Sequence, residues 1–315
     1  LGLLPTATGC VLFYPSASLN VYALFLFSFF VLASGITILQ VAANPYVAAL
    51  GSESTAASRL NLAQAANSLG TTVGPILGAA LILGAVAADA SAVQGPYLMI
   101  AGLLVVAALV FRRIKLPVLA HVEATEDVSG ESVWNRRSLV LGALAIFLYV
   151  GGEVSIGSFL VNYFTESSIA GMSAVDAGEM VAYYWGAAMV GRLVGAALMN
   201  YIASTKYLAI NSVLAVVMII VSMNSSGDMA MWSILAVGFF NSIMFPTIFT
   251  LAVKGLGSLT SKGSGLVCQA IVGGALIPLI QGAAADSIGI QLSFIVPMLC
   301  YIYIGWYALR GADQS

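Results

Sequence analysis

The sequence predicts an all-α integral membrane protein, and its composition and its apolar pattern both point to this fold class. Of the 315 residues, 60% are hydrophobic and only 8% are charged, whereas a soluble domain carries roughly 25% charged residues. Apolar stretches of about 18 residues or more, the length needed to cross a bilayer, recur along the chain. We therefore expect a bundle of membrane-spanning helices.

Taken in order, the apolar stretches predict nine full spans. They lie near residues 20–45, 60–86, 96–112, 138–163, 178–201, 206–223, 230–253, 263–284 and 290–309. The opening run LGLLPTATGCVLFYP is too short to cross alone, and it lacks the basic region and cleavage site of a signal peptide. Because the chain also begins at Leu rather than Met, we interpret this run as the tail of a helix whose beginning is missing.

The basic residues predict which connections are cytoplasmic. Lys and Arg fall at alternate connections, which the positive-inside rule assigns to the cytoplasm. These residues are Arg59, Arg112, Arg113, Lys115, Arg136, Arg137, Lys206, Lys254, Lys262 and Arg310. The intervening connections, near 14–20, 86–96, 164–177, 224–230 and 284–290, contain none. The C-terminus is therefore expected in the cytoplasm.

One long hydrophilic stretch divides the chain. Residues 112–137 have basic ends and an acidic middle, and we interpret them as a cytoplasmic linker. Six spans follow in 138–315, whereas 1–111 holds three spans and a fragment. If the chain is built from two equal repeats, as some membrane proteins are, the first half is expected to lack about two and a half helices.

Polar side chains form a stripe on each of the first two full spans, at spacings of three or four that place them on one side of a helix. The stripes consist of Ser34, Thr37, Gln40 and Asn44, and of Asn61, Gln64, Asn67 or Ser68, and Thr71. A buried amide without a partner costs ~2 to 7 kcal/mol, so two facing stripes favour a wet solute path. Interhelical hydrogen bonds, worth ~1 to 2 kcal/mol in model helices, are the alternative for any one residue.

Two ionisable side chains lie inside predicted spans. Glu153 lies among Gly151, Gly152 and Gly157, which allow close helix approach or a local break. Arg192 lies toward the inner half of the next span. Because a mid-bilayer charge costs at least ~2.5 to 3.5 kcal/mol, such residues are functional candidates. A structural hydrogen bond to nearby backbone is the alternative for Glu153.

Residues 39–71, LQVAANPYVAALGSESTAASRLNLAQAANSLGT, resemble the signature of the fucose:proton symporter family of the major facilitator superfamily, and within it the bacterial glucose/galactose transporters. Later blocks resemble the family in the same order, among them YVGGEVSIGSFLVNY, YYWGAAMVGRLVG and NSIMFPTIFTLAVKGLG. The resemblance implies two six-helix bundles that rock around a central site. It also implies a monomeric hexose transporter in the bacterial inner membrane, with a monosaccharide as substrate and no cofactor.

A sugar ring has an apolar C–H face and a rim of hydroxyls, so its site combines aromatic rings with amides or carboxylates. Tyr184 and Trp185 are candidates for the aromatic platform, with packing against a neighbouring helix as the alternative. The expected substrate contacts are Gln40, Asn44, Gln64, Asn67, Glu153, Asn162, Tyr184, Trp185, Asn241 and Gln269.

The resemblance also bears on coupling and gating. The family's proton coupling is attributed to carboxylates in its first and fourth helices, and this chain has Gln40 at the fourth-helix position. An amide cannot titrate, so Glu153 is the remaining internal carboxylate that can bind the coupling ion, H⁺ or Na⁺. Arg192 resembles the Arg that the superfamily keeps on the gating surface of this helix.

Other classes are weakly supported by the residues. A net charge of −2 and three scattered Cys give no indication of nucleic acid binding or a zinc site. No nucleophile is paired with the one His, His121, in the linker, so we do not expect an enzyme. The alternatives are a symporter for another sugar, such as L-fucose or N-acetylglucosamine, and a membrane sensor that transports nothing.

Overall fold

A computed structural model describes residues 2–78, 90–114, 117 and 132–312, and the described residues form helices without a strand. The α-helices are α1 Leu3–Leu19, α2 Tyr22–Ala49, α3 Ala56–Gly78, α4 Gln94–Arg113, α5 Arg137–Thr165, α6 Ala174–Leu198, α7 Ser204–Met223, α8 Gly227–Asn241, α9 Met244–Val253, α10 Thr260–Gln269, α11 Gly273–Ile288, α12 Ile290–Ser293 and α13 Ile295–Trp306.

Eight of the nine predicted spans are confirmed, because eight helical segments of the described residues are long and apolar enough to cross a membrane. The remaining predicted span, near 60–86, coincides with α3 as far as Gly78, and its end lies outside the described residues. The opening run forms α1, a helix of 17 residues. Most of the predicted linker, with His121, also lies outside the described residues.

Contacts divide the chain into two units, Leu1–Tyr46 with Val73–Glu123, and Val47–Thr72 with Ala124–Ser315. The domain bounds 1–111, 112–137 and 138–315 stay a prediction. In the first unit α1 packs against α4. Phe13 is fully buried there, and its ring lies 4.9 Å from that of Phe25 and 4.2 Å from that of Tyr97.

The second unit is organised around α5, which packs against α6, α9, α11 and α13. The helix runs unbroken from Arg137 to Thr165, so its glycines serve close approach rather than a break. A Cβ at Gly151 would overlap Ile277 of α11, and one at Gly157 would lie 3.0 Å from the Trp185 ring of α6. Glu153 therefore lies on a helix that other helices surround.

The seventh predicted span is interrupted between α8 and α9. Pro246, in the first turn of α9, has no backbone N–H and cannot donate to the carbonyl of Ser242 four residues earlier. In a continuous helix the backbone N–H of residue 246 would donate to that carbonyl. Because Pro246 has no N–H, the Ser242 carbonyl lacks its usual donor. This break supplies a backbone acceptor inside the second unit.

Candidate functional site

Glu153 is held by two partners in the second unit. The Tyr149 hydroxyl, one turn earlier on α5, donates a hydrogen bond of 2.7 Å to Oε1 of Glu153. Nη2 of Arg192 lies 3.5 Å from the same oxygen, and the side chains of Arg192 and Glu153 are only 11% and 12% exposed. A half-buried or buried charge needs such a partner, because desolvation is costly. The spacing Tyr149–Glu153, four residues on one helix, is the sequence signal that could have identified the tyrosine.

Arg192 joins Glu153 to two further elements. Its Nε donates to the Ser242 carbonyl over 3.0 Å, the acceptor that Pro246 leaves without a helical donor. Its Nη1 donates to Oγ of Ser68 on α3. One guanidinium thus connects α3, α5, α6 and the break between α8 and α9. We call Ser68, Tyr149, Glu153, Arg192 and Ser242 the Glu153 network.

Tyr184 and Asn241 belong to an adjoining buried cluster. The Tyr184 hydroxyl donates to the backbone carbonyl of Glu153 over 3.3 Å. Nδ2 of Asn241 donates to the hydroxyls of Tyr184, at 2.7 Å, and Tyr301, at 2.9 Å. All three side chains are fully buried. In this structure Tyr184 and Asn241 contact protein groups, and their role as substrate contacts stays a prediction.

Trp185 lies beside this cluster and is partly buried. Its ring is 5.1 Å from that of Tyr184 in an edge-to-face arrangement, and it also lies close to Gly157 of α5. The geometry favours the packing alternative for Trp185 in this conformation.

The polar residues of α3 separate into two faces. Asn61 is fully buried, and its Nδ2 donates to the Ala57 carbonyl at 2.9 Å and to the Thr247 hydroxyl at 3.4 Å. Ser68 is also buried and accepts from Arg192. We call Asn61 and Ser68 the packing face of α3. The geometry of these two residues fits an interhelical hydrogen bond rather than contact with a solute.

Gln64 and Asn67 form what we call the open face of α3. Asn67 is exposed and Gln64 is partly exposed, and Nδ2 of Asn67 donates to Oε1 of Gln64 over 3.4 Å. The bond joins two side chains of one helix, and the amide of Asn67 is exposed beside it. Of the second predicted stripe, this pair has the geometry expected of a solute path.

The remaining candidates are dispersed. On α2, Gln40 is partly buried and Asn44 is buried, while the hydroxyls of Ser34 and Thr37 donate to carbonyls of their own helix. Asn162 lies nine residues after Glu153 on α5, about two and a half turns away and on the opposite side. Asn162 and Gln269 are both exposed. Within the second unit, neither contacts the Glu153 network in this structure.

Comparison with known proteins identifies the family. The family model of the Major Facilitator Superfamily matches residues 1–267. A glucose/galactose transporter of Brucella abortus biovar 1 (strain 9-941) is 56% identical over 99% of this chain and 77% of its own length. The L-fucose-proton symporter of Escherichia coli (strain K12) is 32% identical over 98% of this chain and 76% of its own.

A solved structure gives the same answer for the fold. The crystal structure of FucP, a major facilitator superfamily transporter in the outward conformation, matches with a TM-score of 0.91 and 30% identity. The match covers 98% of this chain and 81% of FucP. These matches and the helix pattern show that the chain belongs to the major facilitator superfamily, in the family of the fucose:proton symporter and the bacterial glucose/galactose transporters.

Proposed function

We propose that this chain is a secondary active transporter that carries a hexose of the glucose/galactose type across the bacterial inner membrane by alternating access. The observation that carries the proposal is the 56% identity, over nearly the whole chain, to a protein named as a glucose/galactose transporter. The more distant L-fucose-proton symporter, at 32% identity, makes a different hexose the second candidate.

The Glu153 network supplies a mechanism for coupling to a cation. A proton or a sodium ion that binds the Glu153 carboxylate competes with Arg192 for Oε1, the atom 3.5 Å from the guanidinium. Once the ion pair is neutralised, the contacts to Ser242 and Ser68 still hold Arg192. Ion binding thereby weakens the connection between α5 and the helices that Arg192 reaches, which allows a coupled conformational change.

The hexose is expected to bind on the open face of α3. Gln64 and Asn67 together offer amide donors and acceptors that match sugar hydroxyls. Gln40 and Asn44 are proposed as further contacts, and Gln40 contributes hydrogen bonds without titrating.

The test is uptake by the full-length protein in proteoliposomes. Radiolabelled glucose, galactose, L-fucose and N-acetylglucosamine are offered with an imposed sodium gradient, with a proton gradient, and with neither. We expect concentrative uptake of glucose or galactose with one gradient only. A preference for L-fucose would make L-fucose, rather than glucose or galactose, the substrate. Absence of both uptake and exchange for every sugar would favour a membrane sensor that transports nothing.

The orientation is part of the proposal, with the C-terminus in the cytoplasm. Ser226 precedes α8 and Ser258 follows α9, and both are exposed. Cysteines at these positions, in a background without the three native Cys, are expected to react with an impermeant thiol reagent from opposite sides. Position 226 should label in intact cells and position 258 only after permeabilisation. The reverse pattern would invert the proposed topology.

A further inference from the structure

Tyr149 is a buried phenol on α5 whose hydroxyl bonds to the Glu153 carboxylate. The residue is only 1% exposed, and its ring centroid lies 6.4 Å from that of Phe245 on α9. A phenylalanine would make the same ring contact. What the tyrosine adds is a hydroxyl, which donates over 2.7 Å to Oε1 of Glu153. The polar chemistry of Tyr149 is therefore directed at the carboxylate.

Two contacts of different origin hold this carboxylate. Among the residues that the structure describes, Tyr149 and Arg192 are the side chains that contact it. Two other titratable side chains lie close by but make different bonds. Tyr184 donates to the backbone carbonyl of Glu153, and Tyr301 accepts a hydrogen bond from an amide. Direct control of the carboxylate by a neighbouring side chain thus acts through Tyr149 or Arg192.

The two contacts respond differently to a movement of the helices. Arg192 reaches Oε1 from α6, across 3.5 Å. Tyr149 lies one turn before Glu153 on the same helix, which is continuous from Arg137 to Thr165. Side chains four residues apart stay neighbours for as long as their helix is intact, so the Tyr149 bond does not depend on where α6 lies. Tyr149 can therefore stay bonded to the carboxylate after a bound ion has displaced Arg192.

The Tyr149 hydroxyl stabilises the carboxylate in its charged, ion-free form, because a hydrogen bond donated to the charged form favours that form. Hydrogen bonds to charged groups are also stronger than those between neutral groups. A proton or a sodium ion that binds at Oε1 has to compete with the hydroxyl for the same oxygen. We propose that Tyr149 is a positioning residue that lowers the affinity of Glu153 for the coupling ion, so that the ion is released once the carrier has changed conformation. This inference rests on the proposed function, in which Glu153 binds that ion.

The test compares Tyr149→Phe with the wild type and with Tyr163→Phe, all as full-length protein in proteoliposomes. Tyr163 is the matched control, because it is also a fully buried tyrosine of α5 and its hydroxyl donates over 3.0 Å to the Ser222 carbonyl rather than to Glu153. Accumulation of labelled sugar is measured against the concentration of the ion whose gradient drives the wild type. The sugar concentration for half-maximal exchange is measured without a gradient.

We expect the ion concentration for half-maximal accumulation to be about three- to tenfold lower in Tyr149→Phe than in the wild type. The sugar dependence of exchange should match the wild type, and Tyr163→Phe should match it in both measurements. An unchanged or higher half-saturating ion concentration in Tyr149→Phe would overturn the proposal, and so would an equal fall in Tyr163→Phe. Normal accumulation in Glu153→Gln would show instead that coupling through Glu153, on which the proposal rests, is wrong.

Discussion

The packing face and the open face of α3 lie on one helix, and Ser68 follows Asn67 directly in the sequence. Ser68 is buried and bonded to Arg192, whereas Asn67 is exposed and bonded only weakly to Gln64. About 100° of helical rotation separates adjacent residues, and this rotation separates a polar side chain that packs against protein from an exposed one that we propose contacts the solute. A polar stripe inside a membrane can therefore serve both roles at once.

The largest effect is expected from removing the charge of Glu153. Arg192 connects this carboxylate to Ser68 on the packing face. Glu153→Gln keeps the hydrogen bond from Tyr149 but removes the ion pair and the titratable group. We predict that sugar exchange continues, because it needs only the loaded carrier, while accumulation against a gradient is abolished. Both are measured in proteoliposomes with labelled sugar.

Glu166→Gln is the matched control for that experiment, since Glu166 is an exposed carboxylate at the end of the same helix. It should accumulate sugar normally. If Glu153→Gln also loses exchange, the residue binds sugar or supports the structure. Normal accumulation in Glu153→Gln would place coupling elsewhere in the chain.

The second prediction concerns stability. Arg192→Met leaves Glu153 without its cation, and removing one partner of a buried ion pair costs about 3 to 5 kcal/mol. Adding Glu153→Gln should restore part of the loss, because the unpaired charge is gone while the Ser242 carbonyl still lacks its donor. The free energy of unfolding in detergent micelles checks both variants. No recovery in the double variant would mean that the ion pair contributes little.

Much of the fold could be predicted from the sequence, because apolar length and the positions of charges determine the spans directly. Glu153 and Arg192 could be singled out because ionisable residues inside a span are costly. Their pairing could not, since it depends on the distance between two helices. Likewise, Asn61 and Gln64 have the same side-chain chemistry and similar spacing, and only tertiary packing distinguishes them. The contact between Arg192 and the Ser242 carbonyl, which Pro246 leaves without a helical donor, could not be predicted either. It depends on how a third helical segment packs.

The third prediction tests the packing face alone. Asn61→Ala removes the bonds to Ala57 and Thr247 and leaves a small void in a fully buried place. We expect the free energy of unfolding to fall by about 1 to 2 kcal/mol. The apparent affinity for sugar should stay unchanged, which concentration-dependent uptake measures. A weakened affinity for sugar with unchanged stability would indicate that Asn61 contacts the solute instead.

The smallest effects are expected on the open face. There the affinity for sugar should fall while stability is kept, the opposite of the result expected for Asn61→Ala. Gln64→Ala and Asn67→Ala each remove hydrogen bonds to a solute worth about 0.5 to 1.5 kcal/mol, which corresponds to about a two- to tenfold rise in the half-saturating sugar concentration. For Asn67→Ala stability should hold, because this side chain is exposed and its bond to Gln64 is 3.4 Å long. Asn61→Ala is the natural control, since it also removes a side-chain amide about one or two turns away, on the packing face. If the open-face variants transport with unchanged affinity while Asn61→Ala destabilises the protein, then both faces of α3 serve packing, and the solute path must follow other residues.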